Sequence, residues 1–189
     1  MGSYTCRACN ETEFKEIINL LRNGYTGKDG IKHRPNNQIA DILVLEANLG
    51  CRIGDIIKLR TDSFVCDNGI WKLDIIEEKT DKKRTFIIPK PVKDFIDKIS
   101  EGKNGKIFTV TEQAVWKAMR YLTKELELSK ISTHSLRKYC ANNLYESTGH
   151  DIEAVCTFLQ HTSPVTTRKY IRRSDEKMEK AISDIVNLA

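Results

Sequence analysis

Apolar residues recur at helical spacing along most of this chain. Phe14, Ile17, Ile18 and Leu21 lie three or four positions apart and so share one face of a helix. Asn10 and Glu13 ahead of them have the pattern of a capping box, and Gly24 behind them is a stop signal. Residues 24–36 hold three glycines and a proline among polar side chains and read as a surface loop. A second helix is predicted from about Asn37 to Leu49, with Ile39, Ile42 and Leu43 inward and Gly50 at its end. A short helix from about Ile53 to Leu59 follows.

The period then changes. Trp71, Leu73 and Ile75 alternate with Lys72 and Asp74, as in a strand with one buried face. Asp67-Asn68-Gly69 between apolar runs predicts a tight hairpin turn. Thr80-Asp81-Lys82-Lys83 reads as the next turn and Arg84 to Pro89 as a third strand. Helical spacing then returns in Val92, Phe95, Ile96 and Ile99, ending near Gly102. It continues in Val115, Met119, Leu122 and Leu126, opened by Thr111 as N-cap. A helix from about His134 to Glu146 turns Leu136, Cys140 and Leu144 to one side, and Ile152, Val155, Cys156 and Leu159 mark another. Pro164 is expected to interrupt the chain before a segment holding Tyr170. Met178, Ile182, Ile185 and Val186 predict a final amphipathic helix from about Asp175 to Leu188. The expected class is α+β, mainly α-helical, with a small three-stranded antiparallel sheet, in one domain without internal repeats.

Composition narrows the function classes. A chain of 189 residues with 40% hydrophobic and 30% charged residues suits one globular domain. It holds no apolar run of roughly 18 residues and no basic-then-apolar leader, so no membrane partner and a cytoplasmic location are expected. Cys6 and Cys9 have the spacing of a metal-binding pair, but no second close pair follows to complete a site of about four ligands. Cys51, Cys66, Cys140 and Cys156 are scattered in apolar surroundings, as buried or free thiols of a reducing compartment. The net charge of +5 permits an anionic partner. Basic residues gather at Lys82, Lys83 and Arg84, at Arg168 and Lys169, and at Arg172 and Arg173.

The chain lacks a phosphate-cradling P-loop, G-x-G-x-x-G and H-E-x-x-H, so phosphate chemistry here would run on Arg, Lys, His and a side-chain nucleophile. Four segments carry such groups: Gly50-Cys51-Arg52-Ile53-Gly54-Asp55; Lys79-Thr80; His134-Ser135-Leu136-Arg137; and Leu159-Gln160-His161-Thr162-Ser163 followed by Thr166-Thr167-Arg168-Lys169-Tyr170. His134 and Arg137 share a helical face and can converge on one anion. Each segment also has a plain structural reading. Arg52 can be a capping or salt-bridging residue, His134 and Arg137 a surface pair, Tyr170 an amphipathic surface ring, and the basic clusters a solvated face.

Taken together and in order, the segments resemble the tyrosine recombinase (phage integrase) family. Its boxes T-G-x-R-x-x-E, K-T on a hairpin, H-x-L-R, and L-G-H-[ST]-S with T-T-x-x-Y are met across nearly the whole chain. Leu49 stands where the family has Thr, Asp55 where it has Glu, and Gln160 where it has Gly. Packing around His161 is therefore expected to differ.

The resemblance implies that Tyr170 attacks a DNA phosphodiester, leaving a 3′-phosphotyrosyl link and a free 5′-hydroxyl. Arg52, Arg137 and His161 would hold the phosphate, His134 would take the phenolic proton, and Lys79 would protonate the leaving oxygen. Asp55 would orient a catalytic side chain. Lys82, Lys83, Arg84, Arg168, Lys169, Arg172 and Arg173 would contact the DNA backbone. No cofactor or metal is implied. The partners would be double-stranded DNA and, on paired sites, three further copies in a homotetramer, with a monomer in the absence of DNA. Residues 1–10 are read as a leader, 11–174 as the catalytic core and 175–189 as a terminal helix that docks on its own core or on a neighbour. The DNA-clamping N-terminal domain usual in the family has no counterpart in the sequence. A type IB topoisomerase-like relaxation activity and a DNA-binding module without catalysis are the competing readings. Where Tyr170 lies without DNA is left open by the sequence.

Overall fold

The structure is a computed structural model that describes residues 6–168, 170 and 171. Helix α1 (Glu11–Asn23) begins with the expected capping box. The Asn10 side chain accepts from the Glu13 amide and the Glu13 carboxylate accepts from the Asn10 amide. Helix α2 (Asn37–Leu49) is the centre of the molecule and packs against α1 and against α3 (Ile53–Ile57), α4 (Lys90–Ser100) and α6 (His134–Ser147). It buries more than the predicted stripe. Ile39, Ala40, Ile42, Leu43, Leu45, Ala47 and Leu49 are all buried, and so is one charged residue, Glu46. Gly50 ends α2 in the left-handed conformation. A Cβ there would lie 2.9 Å from the Phe158 ring and 3.2 Å from Cys140 Sγ, so the position needs glycine for space as well as for φ.

Strands β3 (Phe64–Asp67), β4 (Ile70–Glu77) and β5 (Lys82–Ile87) form the antiparallel sheet, in the order β3-β4-β5. Asn68 (φ 50) and Gly69 (φ 78) make the predicted tight turn between β3 and β4. The second turn differs from expectation. It spans 78–81, and Lys82 and Lys83 already belong to β5, paired with Glu77 and Ile76. This register carries Arg84 to the buried face opposite Ile75, where it is 1% exposed. The third strand stops at Ile87, because Pro89 has no N–H to offer a ladder and instead opens α4.

Two further expectations are corrected. Residues 24–36 are not a bare loop: β1 (Tyr25–Thr26) pairs with β2 (Lys32–His33), and the Tyr25 and His33 rings stack at 4.4 Å. Two-residue strands are too short for any alternation to announce them. Pro164 does not break the chain but occupies the first position of α8 (Pro164–Arg168), where its missing N–H costs nothing. Helix α5 (Glu112–Glu125) is capped by Thr111, and α7 (Ile152–Leu159) by Asp151.

One main core joins α1 to α6 and the sheet. A second, smaller cluster of Ala141, Val155 and Leu159 anchors the chain's approach to Tyr170 and Ile171. Among the described cysteines Cys51, Cys140 and Cys156 are buried as expected, whereas Cys66 is exposed on β3. No described helix is long and apolar enough to cross a membrane. The predicted final helix, and with it Lys169, Arg172 and Arg173, lies outside the described residues.

Candidate active site

The α2–α3 junction, the β4–β5 turn, the first turn of α6, the loop after α7 and the residues after α8 meet at one pocket of about 700 Å³. Arg52, Asp55, Lys79, His134, His161 and Tyr170 line it. Residues more than a hundred positions apart in sequence are thus brought together, and the remaining expected group, Arg137, lies buried beside them.

Arg137 is 0% exposed. Its Nη1 donates to the Gly50 carbonyl and its Nη2 to the Leu159 carbonyl at 2.8 Å. Those carbonyls belong to the C-terminal ends of α2 and α7, where unpaired oxygens gather partial negative charge. The guanidinium is therefore held by two helix ends. Its Nε is buried without a hydrogen-bond partner among the described residues. Burial lowers its pKa, yet a guanidinium stays charged at any ordinary pH.

Arg52 stands at the N-terminus of α3 and is fixed by a residue outside the four motif segments. Glu77, at the end of β4, accepts from Arg52 Nη1 through one oxygen and from Arg84 Nη1 at 2.9 Å through the other. Thr80 Oγ1 adds a third bond at 3.0 Å, and Arg84 Nη2 donates to the Leu49 carbonyl at 3.0 Å. Burial alone would push the Glu77 carboxyl up, but the two guanidinium groups outweigh it and hold the carboxyl below its usual range. The signal was present: Glu77 continues the alternation of Leu73 and Ile75 and so had to face inward.

Arg84 is consequently not a DNA-backbone residue. It is buried and engaged with Glu77, and both its rim and its reach are closed to an outside phosphate. Lys82, Lys83 and Arg168 are exposed, with Lys83 paired to Asp74 at 3.1 Å. Lys79 is exposed in the 78–81 turn and makes no hydrogen bond or ion pair among the described residues. Asp55 is buried, and its Oδ1 accepts from the Glu78 amide at 2.9 Å. It thus fixes the backbone next to Lys79 rather than touching a catalytic side chain. Burial raises its pKa.

Tyr170 is inside the pocket. Its backbone amide donates to Thr167 at 2.8 Å. Its Oη meets His134 Nε2 in a short hydrogen bond, and its ring stands edge-on to His134 at 5.1 Å and to His161 at 4.6 Å. Burial pushes the Tyr170 phenol up, against the pull of Arg137, so the phenol is protonated and donates to Nε2. His134 then carries its one ring proton on Nδ1. Its pKa is lowered to about 4 by burial and by the charges of Arg137, Lys138, Arg52 and Lys79. The result is a neutral imidazole whose Nε2 lone pair accepts the phenolic hydrogen bond.

His161 is neutral too. Arg137 Nη2 approaches its Nε2 at 3.4 Å, and because arginine only donates, Nε2 is the accepting nitrogen. Nδ1–H then donates to Thr167 Oγ1 at 2.9 Å. In this state His161 presents an acceptor, not the donor the resemblance implies. Its pKa is lowered to about 4, by burial first and by Arg137 next. A phosphate in the pocket would favour the protonated form. Gln160, the departure from the family's glycine, is left-handed (φ 52), and its side chain donates to the Lys83 carbonyl at 2.9 Å. That bond ties the His161 loop to β5 and compensates the conformation.

A pH dependence follows. Both histidines have folded pKa values of about 4, below the ordinary 6.5. Between those values the unfolded chain binds protons that the folded chain refuses, so the histidines' contribution to stability is full above pH 6.5 and is lost as pH drops toward 4. Urea denaturation at pH 7 and pH 4.5 is expected to show a loss on the order of 2 kcal/mol from His134, with a smaller share from the half-exposed His161. A His134→Asn, His161→Asn double variant is expected to flatten that acid limb.

The exposed side of α5 was also passed over. Gln113, Trp116, Lys117, Arg120, Tyr121 and Lys124 form one face with no carboxylate, opposite the buried Val115, Met119 and Leu122. Trp116 reaches the pocket rim. Subtracting the predicted core stripe from the helix reveals this face. No group of three or more His, Cys, Asp or Glu placed to hold a metal occurs among the described residues.

Solved structures with the same fold include the XerH site-specific recombinase bound to palindromic difH substrate, a post-cleavage complex. It is 19% identical, with a TM-score of 0.69, over 97% of this chain and 54% of that one. The catalytic domain of bacteriophage HP1 integrase is 19% identical, with a TM-score of 0.62, over 94% of each chain. A lambda integrase dimer bound to a COC′ core site is 18% identical, with a TM-score of 0.67, over 91% of this chain and 61% of that one. The chain thus spans about half the length of the XerH recombinase. A comparison with curated protein sequences finds no match. The phage integrase family profile matches residues 10–177, and the chain belongs to the phage integrase family.

Proposed function

We propose that this protein is the catalytic domain, with its core in residues 11–174, of a site-specific recombinase that cuts and rejoins double-stranded DNA through Tyr170. The observation that carries the reading is the contact between Tyr170 Oη and the neutral His134 Nε2, inside a pocket shared with Arg52, Lys79 and His161. A protonated phenol is a weak nucleophile, and here it already faces a base.

In the proposed reaction Tyr170 Oη forms a bond to phosphorus as the bond from phosphorus to the 5′-oxygen breaks. The phenolic proton passes to His134. Lys79, a mobile ammonium on a turn, gives a proton to the leaving 5′-oxygen. Arg52 and Arg137 donate to the non-bridging oxygens, where negative charge grows in the transition state. His161, once protonated, joins them. Asp55 acts through the backbone, by fixing the turn that presents Lys79. The phosphotyrosyl diester keeps the energy of the cleaved bond, so attack by the 5′-hydroxyl reverses the step without a nucleotide cofactor.

Exposed Lys82, Lys83 and Arg168, together with Lys169, Arg172 and Arg173, would neutralise the DNA backbone. The basic, aromatic face of α5 extends that surface from the pocket rim. Action in the cytoplasm as a homotetramer on paired sites, in the service of a mobile element, completes the reading.

Nicked duplexes tiled across the DNA flanking the coding region test it. The wild type is expected to accumulate a covalent protein–DNA adduct that survives denaturing electrophoresis, and Tyr170→Phe is expected to form none. A folded wild type that forms no adduct on any duplex, or a Tyr170→Phe variant that still forms one, would overturn the reading.

A further inference from the structure

Glu46 is an acidic residue in the last turn of the central helix, and no motif explains it. It is 1% exposed, it lines the same pocket as His134 and Tyr170, and its Oε2 is buried with no hydrogen-bond partner among the described residues. The titratable groups that face it come from three elements: Arg137 on α6, Glu112 on α5 and Cys6 in the N-terminal segment. Cys9 and Cys140 also lie within its field. Arg137, the cation among them, likewise has a partnerless buried atom, its Nε. A buried carboxylate near a buried guanidinium would normally be joined to it by a charge-assisted bond. Here both atoms stay without a partner, Glu46 in the lining of the pocket and Arg137 fully buried beside it.

We propose that Glu46 is a positioning residue that keeps a proton beneath the phosphate pocket: its uncharged carboxyl leaves Arg137 open to a tetrahedral anion, and its ionisation closes the site by engaging Arg137 instead. The inference rests on the reading of the pocket as a phosphate site. Burial raises the Glu46 carboxyl well above its ordinary range, and the opposing field of Arg137 does not outweigh this. An anion arriving near Glu46 would raise it further, so anion binding and retention of the proton reinforce each other. Glu46 does not contact the reacting atoms in this scheme. It sets the charge state in which Arg137 meets them.

The linkage has a definite sign. A carboxyl raised in the folded state supports folding fully below its ordinary 4.5 and loses that support as pH rises. Glu46→Gln, which copies the acid form in shape and charge, is therefore expected to melt at a higher temperature than wild type from neutral pH upward.

The test uses sulfate as the probe, because its charge does not change with pH. The rise in melting temperature produced by sulfate is measured between pH 7 and 9.5 in wild type, in Glu46→Gln and, as a pocket control, in Arg52→Ala. In wild type the sulfate effect is expected to shrink about threefold or more across that range, and in Glu46→Gln to stay within about 1.5-fold. The initial rate of adduct formation on a nicked duplex is expected to show the same contrast. Parallel profiles in wild type and Glu46→Gln would overturn the proposal, as would a Glu46→Gln that is less stable than wild type at every pH or that has lost sulfate binding altogether. Failure of the catalytic reading would appear differently, as sulfate binding without any adduct. An unbound pocket in wild type, equal to Arg52→Ala, would overturn both.

Discussion

Glu77→Ala is expected to destabilise the domain by about 3–5 kcal/mol, because it leaves the Arg84 guanidinium buried without a counter-charge. Arg84 is 1% exposed and Glu77 is 0% exposed at the side chain, so water cannot replace the lost carboxylate. The other Arg84 bond, to the Leu49 carbonyl, offers a dipole where a full charge is needed. For a domain of this size the loss corresponds to a fall of roughly 6–20 °C in Tm. Glu77→Gln keeps the shape and the acceptor oxygen and is expected to lose less. Thermal and urea unfolding of the two variants measure the difference. The same change frees Arg52, so any folded Glu77→Ala protein is also expected to cleave DNA slowly. An Arg84→Met substitution in the Glu77→Ala background is expected to recover stability, since a buried ion pair can give way to an apolar side chain of similar volume.

Arg52→Ala is expected to show the opposite pattern, with folding nearly intact and chemistry lost. Arg52 is half-buried at the pocket, and its removal leaves Glu77 still paired with Arg84. The structural penalty is therefore small. The rate of adduct formation is expected to drop about 10²–10³-fold, the usual effect of deleting one preorganised donor to a developing anion. Arg52→Lys is expected to recover only part of it, because a point charge on a flexible stem cannot hold both Glu77 and a phosphate oxygen. Single-turnover adduct formation at saturating protein separates this effect from weakened DNA binding. An Arg52→Ala variant with an unchanged single-turnover rate would remove Arg52 from the proposed transition state.

The two variants divide the site by physical cause. Glu77, Arg84, Asp55 and the carbonyls of Gly50 and Leu159 hold the cations in place, and the cations face the pocket. Arg137 stands between the two groups, since its guanidinium is held by two helix ends and also approaches His161, which lines the pocket. That double use explains why a residue expected to meet DNA is fully buried in the DNA-free protein. It also explains why the pocket can hold so many cationic and donor groups together. Of the carboxylates near them, Glu77 lies behind Arg52 and Arg84, and Asp55 lines the pocket while it holds the backbone amide of Glu78.

The order of helices and the main sheet were legible in the sequence, because period and punctuation are local properties. Asn10 with Glu13, Thr111, Gly50 and Asn68-Gly69 each act within a few residues, and each did what its chemistry requires. The small β1–β2 hairpin, the exact ends of β5 and the helical start at Pro164 were not legible, since two-residue strands and single-turn helices leave too few positions for a period. The candidate catalytic set stands in the sequence only as an ordered spacing, which names residues but says nothing of their partners. Tertiary structure alone decided that Arg84 is spent on Glu77, that Asp55 holds a backbone amide, that His161 accepts at Nε2, and that Glu46 lines the pocket with a partnerless oxygen. The reason is physical. Exposure and protonation depend on which distant groups share a low-dielectric space, and that sharing exists only once α2, α6 and the β4–β5 turn have closed on one another.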